Sequence, residues 1–119
     1  MTIIQEIAEQ KTSLEAIRHD IHAHPEIAFE EVRTSALVAE LLTSWGIEVH
    51  RGLGKTGLVG VLKGTGGTGT RAIGLRADMD ALPMPEYNKF AHASTNPGRM
   101  HGCGPVSYTH LRAHETPEH

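Results

Sequence analysis

The chain of 119 residues contains one cysteine, Cys103. An internal disulfide is therefore excluded, and a reducing, cytoplasmic compartment is the expectation. Aromatic residues are also scarce, at 4% of the chain, which leaves few platforms on which bases could stack. Basic charge is not in surplus: Lys plus Arg is 11, Asp plus Glu is 14, and the net charge is −3. Nucleic acid is not an expected partner on that balance. No apolar run approaches the ~18 residues that a membrane span needs, so no membrane partner is expected either. The opening MTIIQEIAEQK has neither a basic leader nor a long apolar stretch, and does not read as a secretory signal. What is present is enough for one domain at most. The hydrophobic fraction of 39% and charged fraction of 21% are those of a globular chain. Nine histidines stand out for this length.

The first half reads as helix. Ile3, Ile4, Ile7, Leu14, Ile17 and Ile21 recur at three- and four-residue steps and predict one amphipathic helix over residues 3–22. Thr2 with Gln5 fits a capping box. His24-Pro25 should stop the helix, since a residue before proline is pushed out of the αR region. A second helix is expected over residues 30–45, with Val32, Ala36, Leu37, Leu41 and Trp45 as its buried face and Gly46 just past its end. The period then changes to two. Ile47–Val49, Leu58–Leu62 and Ala72–Ala77 read as three strands separated by glycine-rich turns, the second and third forming a hairpin. Residues 81–104, with Pro83, Pro85 and Pro97, read as an extended loop. The order suggests an α/β layer with a mixed sheet.

Three motifs invite chemistry and do not carry it. Gly52-Leu53-Gly54-Lys55-Thr56-Gly57 has the dinucleotide spacing, but that chemistry needs a helix opening at the last glycine. Strand sequence follows instead, so a hairpin or crossover turn is the expectation. The dense set His19, His22 and His24 could place two imidazoles on one helix face, yet no local donor completes a metal set. Helix-end histidines facing the dipole are the simpler reading. His114-Glu115-Thr116-Pro117-Glu118-His119 resembles a zincin helix only superficially, because the second histidine is one residue late and Pro117 breaks the helix.

The remaining pattern is more suggestive. Arg76-Ala77-Asp78-Met79-Asp80-Ala81-Leu82-Pro83 leaves a strand and enters a loop with two carboxylates, where α/β proteins gather ligands. Further on, Met100-His101-Gly102-Cys103-Gly104 sets a soft sulfur between glycines and near a histidine. That suits a transition metal or a reactive thiol. Asp78 and Asp80 could equally cap a turn, and Cys103 could be a small buried hydrophobe.

The stretches RHDIHAHPEIAFEE (Arg18–Glu31), Thr34–Gly46, RAIGLRADMDALPMPE (Arg71–Glu86) and RMHGCG (Arg99–Gly104) resemble the hippurate hydrolase and N-acyl-amino-acid amidohydrolase family, within the aminoacylase- and carboxypeptidase-like two-metal peptidases. The resemblance covers residues 1–104. It implies the N-terminal part of an α/β, mixed-sheet catalytic domain, two helices then three strands, left incomplete. It also implies two divalent ions, zinc, manganese or similar, that polarise an amide carbonyl and activate water, with a glutamate as general base. Carried onto this sequence, Cys103 resembles a metal ligand and Asp80 the aspartate that orients the metal site. Asp78 sits where related peptidases have a ligating histidine. The implied substrate is a small N-acyl amino acid, and full-length relatives are expected to be homo-oligomers.

From Pro105 the pattern breaks. The family continues C-G-H-D-G-H, and the position of its ligating histidine is Pro105 here. Residues 105–119 read as a non-family tail: Val106–Thr116 matches the translation of a transposon-type sequencing adapter, with Pro105 arising where a histidine codon was interrupted. The general base and the remaining ligands would lie beyond this chain. The expectation is a truncated, inactive piece of a metal-dependent amidohydrolase with little cooperative stability. The alternatives are a non-catalytic binding module that reuses the fold, or a cysteine-nucleophile enzyme built on Cys103 and His101.

Overall fold

The computed structural model describes residues 3–67 and 69–102, which fall into two compact units. The first is drawn from the chain up to Ile27 and from Ala81 onward; the second is Ala28–Asp80.

The first unit opens with α1 (Gln5–Ala8) and α2 (Lys11–Ala23). The single helix expected over residues 3–22 is thus two. The break falls in the polar run Glu9–Ser13, where no apolar side chain lies between Ala8 and Leu14 to hold the turn by packing. Thr2 of the expected capping box lies outside the described residues; Ile4 is the N-cap of α1, and the Gln5 amide donates to Glu9 Oε1 at 3.0 Å. Ile3, Ile4, Ile7 and Leu14 remain exposed. The stop at His24-Pro25 is as expected. α2 ends at Ala23, and Pro25 is fully buried.

Beyond α2 the first unit is built from bonds to loop backbone. Ala81 N–H donates to the Glu26 carbonyl at 2.8 Å, and Ile27 and Ala81 form an isolated parallel bridge. Thr95 gives both its N–H and its hydroxyl to the Ala23 carbonyl. Asn96 Nδ2 donates to the Pro25 carbonyl at 3.0 Å. Leu82 and Met100 close the segment by an antiparallel bridge. The carbonyls of Ala23, Pro25 and Glu26, at and beyond the end of α2, are therefore satisfied by residues 81–96.

The second unit is α3 (Val32–Ser44) followed by a hairpin of β1 (Glu48–Leu53) and β2 (Gly57–Val61). Gly46, at φ +79°, ends α3 with a Schellman motif. Its N–H bonds the Thr43 carbonyl and the Ile47 N–H bonds the Leu42 carbonyl, both at 3.0 Å. Ile47 and Leu42 then meet the hairpin at Gly60, where an added Cβ would stand 3.0 Å from Ile47 Cγ2 and 3.2 Å from Leu42 Cδ1.

The face α3 buries is not the expected one. Thr34, Ser35 and Ala39 are buried, Leu37 and Leu41 are half-buried, and Val32 and Trp45 are exposed. The inward face thus includes a polar stripe, and Glu31 just before it is also buried. Its carboxylate accepts the Phe29 N–H at 2.8 Å and the Thr56 hydroxyl.

The sheet also differs from expectation. β1 pairs with β2 in antiparallel register from Glu48↔Val61 to Leu53↔Gly57, with a bulge between Arg51 and Leu53. The glycine run with dinucleotide spacing is the turn of this hairpin. Gly52, Gly54 and Lys55 all have positive φ there, which two glycines adopt freely. The expected third strand, Ala72–Ala77, has no strand structure, and Ile73 and Leu75 are 91% and 95% exposed. Among the described residues the sheet has two strands, so this β-prone stretch has no ladder to join. Ala39 and Ala81 are the buried hydrophobic residues among those described, a small core for either unit.

Candidate functional site

The described side chains converge most densely where α2 meets residues 86–101. His22 projects from the last turn of α2, and its Nε2 lies 3.1 Å from both Glu86 carboxylate oxygens. The Glu86 side chain is 3% exposed and that of His22 14%. Asn88 Nδ2 donates to Glu86 Oε2 at 2.9 Å, and the Ser94 N–H donates to Oε1 at 2.7 Å. Burial pushes the Glu86 carboxyl up, but the bonds from Asn88, Ser94 and His22, with the His22 charge, outweigh it and hold it at about 2. The carboxylate is an anchor that stays ionised through the neutral range.

Aromatic rings surround this anchor. His92 lies between His19, at 3.7 Å and 5° between ring planes, and Phe90, at 3.9 Å and 10°. His22 meets both Phe90 and His92 edge-on, and the His101 ring centroid is 6.2 Å from that of His22. Burial, followed by the neighbouring His19, Arg18 and His22, pushes the His92 imidazole below its usual value, against a smaller upward pull from Glu86.

The sequence reading assigned His19 and His22 to a helix end near the dipole and missed Glu86 altogether. The two partners stand 64 residues apart, and only the density of histidines hinted at a cluster. Asp78 and Asp80 belong to the other unit. Asp78 is exposed and paired with Arg76 at 2.8 Å; Asp80 is exposed. Cys103 and the tail 105–119 lie outside the described residues. Among the described residues, no group of three or more His, Cys, Asp or Glu is arranged to hold a metal ion. His22 and Glu86 satisfy each other, and the parallel His19 and His92 rings cannot direct their nitrogens at one centre. The described donors therefore do not fit a dinuclear centre. No helix among the described residues is long and apolar enough to cross a membrane.

Comparison with known proteins gives this geometry a context. The YXEP protein of Bacillus subtilis, a dinuclear metal-binding peptidase of family M20, superposes with a TM-score of 0.66 at 38% identity, over 78% of this chain and 26% of that one. A crystal structure from methicillin-resistant Staphylococcus aureus superposes with a TM-score of 0.77 at 32% identity, over 94% of this chain and 30% of the other. By fold, then, the chain corresponds to part of an M20-type peptidase structure.

The sequence agrees. Residues 74–109 match the model of Peptidase family M20/M25/M40, a match that runs a few residues past the expected boundary at 104. Hippurate hydrolase from Campylobacter jejuni is 46% identical over 109 residues, 92% of this chain and 28% of that protein. N-acyl-L-amino acid amidohydrolase from Geobacillus stearothermophilus is 44% identical over 104 residues, 87% of this chain and 27% of that protein. The chain thus matches the model of peptidase family M20/M25/M40 over residues 74–109 and is similar to these curated relatives, of whose length it spans about a quarter.

Proposed function

We propose that this chain is the N-terminal portion of a cytoplasmic, metal-dependent amidohydrolase that cleaves the amide bond of N-acyl amino acids of the hippurate type. The observation that carries this reading is the 46% identity to hippurate hydrolase along nearly the whole chain. In the longer protein, two divalent ions, zinc, manganese or similar, are the proposed cofactors. Cys103 is the proposed ligand from this chain, and Asp80 the residue proposed to orient the metal site. The whole protein is proposed to be a homo-oligomer. The described residues contribute a scaffold: the Glu86 anchor and the bonds to Ala23, Pro25 and Glu26 fix the segment that runs through Met100 to Gly102.

The 119-residue chain by itself is proposed to be inactive, with residues 1–104 derived from the catalytic domain and 105–119 foreign to it. Two measurements test the reading. Resequencing the source locus is expected to show a histidine codon at position 105 followed by family sequence. Intact genomic flanks around Pro105–His119 would overturn the boundary. The uninterrupted protein, loaded with zinc or manganese, is expected to release benzoate from hippurate, and the 119-residue chain is not. A full-length protein that binds no divalent ion and cleaves no N-acyl amino acid would be a binding module instead.

A further inference from the structure

We propose that the His19–His92–Phe90 stack is an acid-labile latch, holding residues 87–93 against α2 near neutral pH and releasing them when His92 takes up a proton, while the Glu86 anchor stays closed. The inference rests on the ring geometry and does not depend on the proposed activity.

Residues 86–94 form a loop closed at its neck by the Ser94 N–H to Glu86 Oε1 bond of 2.7 Å. Above the neck, the Ala93 N–H bonds the Phe90 carbonyl at 3.1 Å, and Tyr87 is 85% exposed. What seats this loop on α2 above its neck is the stack: Phe90 and His92 come from the loop, and His19 from the helix. Arg18 Nη2 lies 2.9 Å from His19 Nε2. A guanidinium can only donate, so that nitrogen of His19 is an acceptor. The stack as built therefore contains a neutral His19 ring with a cation at its edge.

A proton on His92 meets Arg18, His19 and His22 from α2 and Glu86 from the loop. Three of these four groups are cationic or can become so. The one carboxylate already accepts from His22, Asn88 and Ser94. The Phe90 face attracts a cation, but only weakly. Burial first, and then the neighbours on α2, hold the folded His92 value below the usual 6.5. The latch is complete above about 6.5 and is lost as pH falls through that lower value. Glu86 runs on a separate scale, since its contribution begins to fade only below 4.5 and persists toward about 2. As pH falls below 6.5 the contacts at residues 90–92 therefore weaken first, while Glu86 still anchors the neck.

Amide hydrogen exchange on the 119-residue chain, followed by NMR and corrected for intrinsic rates, reads both parts at once. Between about pH 7.5 and about pH 5.5, protection of the Ala93 N–H is expected to fall several-fold, up to roughly tenfold for each pH unit by which His92 is depressed. Protection of the Ser94 N–H, bonded to Glu86, is expected to hold. His92→Phe keeps an aromatic ring in the stack and cannot take a proton, so it should abolish the Ala93 response. Constant Ala93 protection in the unaltered chain, or parallel loss at Ala93 and Ser94, overturns the latch. An undiminished response in His92→Phe overturns it as well. The unaltered chain alone decides the question if that variant fails to fold.

Discussion

Replacing Glu86 with alanine is the most informative perturbation of the first unit. The carboxyl sits at about 2 against its usual 4.5. The gap, at ~1.4 kcal/mol for each pH unit, corresponds to ~3 kcal/mol of local stability. A loss of the same order is expected from leaving the His22 ring and the Ser94 N–H without their acceptor in a part-buried setting, at roughly 1–3 kcal/mol for each unsatisfied group. The sign is fixed by the direction of the change. A depressed carboxyl binds protons less readily in the folded state, so its stabilisation is full above about 4.5 and disappears as pH falls toward about 2. The Ser94 N–H reports the bond directly, since it donates to Glu86 at 2.7 Å. Its exchange protection in the unaltered chain should hold from neutrality to about pH 5 and then fall by about a hundredfold on acidification, the equivalent of ~3 kcal/mol. In Glu86→Ala the protection should already be lost at neutrality and show no further acid dependence. Equal Ser94 protection in the two proteins at neutral pH would refute the claim that this carboxylate holds the segment.

Two further expectations concern the second unit. Gly60→Val places a branched side chain where Ile47 and Leu42 already approach within 3.0 and 3.2 Å of the Cβ position, and should cost about 1–3 kcal/mol, read from urea titration of Trp45 fluorescence; an unchanged midpoint would mean the helix end and hairpin do not meet there. Glu31→Ala leaves the Phe29 N–H and the Thr56 hydroxyl without their acceptor in a buried setting, for about 1–3 kcal/mol, whereas the exposed Glu40→Ala should stay within about 0.5 kcal/mol on the same assay.

The features legible in the sequence are those that local chemistry decides. Proline at position 25 ends a helix wherever it falls, Gly46 supplies the left-handed residue of a helix end, and Gly52 and Gly54 turn a chain. The features that were not legible depend on distant partners. Ile3 to Ile21 carry a helical period, but the period does not say that the polar run from Glu9 lets the helix break. Val32 and Trp45 are apolar yet exposed, while Glu31, held by Thr56 far along the chain, is buried beside Thr34 and Ser35. Ala72–Ala77 alternates like a strand, but a strand exists only beside another. The same limit hid Glu86, which became a candidate only once His22 was seen beside it. For Cys103 and Asp80 the local pattern left metal ligand, turn cap and buried hydrophobe open, and it was the family resemblance that assigned them roles.

The bare stretch carrying Ile73 and Leu75 has a consequence for the life of the polypeptide in a cell. Extended, oily and unpaired, it offers the kind of grip that holdase chaperones and degradative proteases use to sort newly made chains. Turnover of the polypeptide is therefore expected to follow how long that stretch stays uncovered.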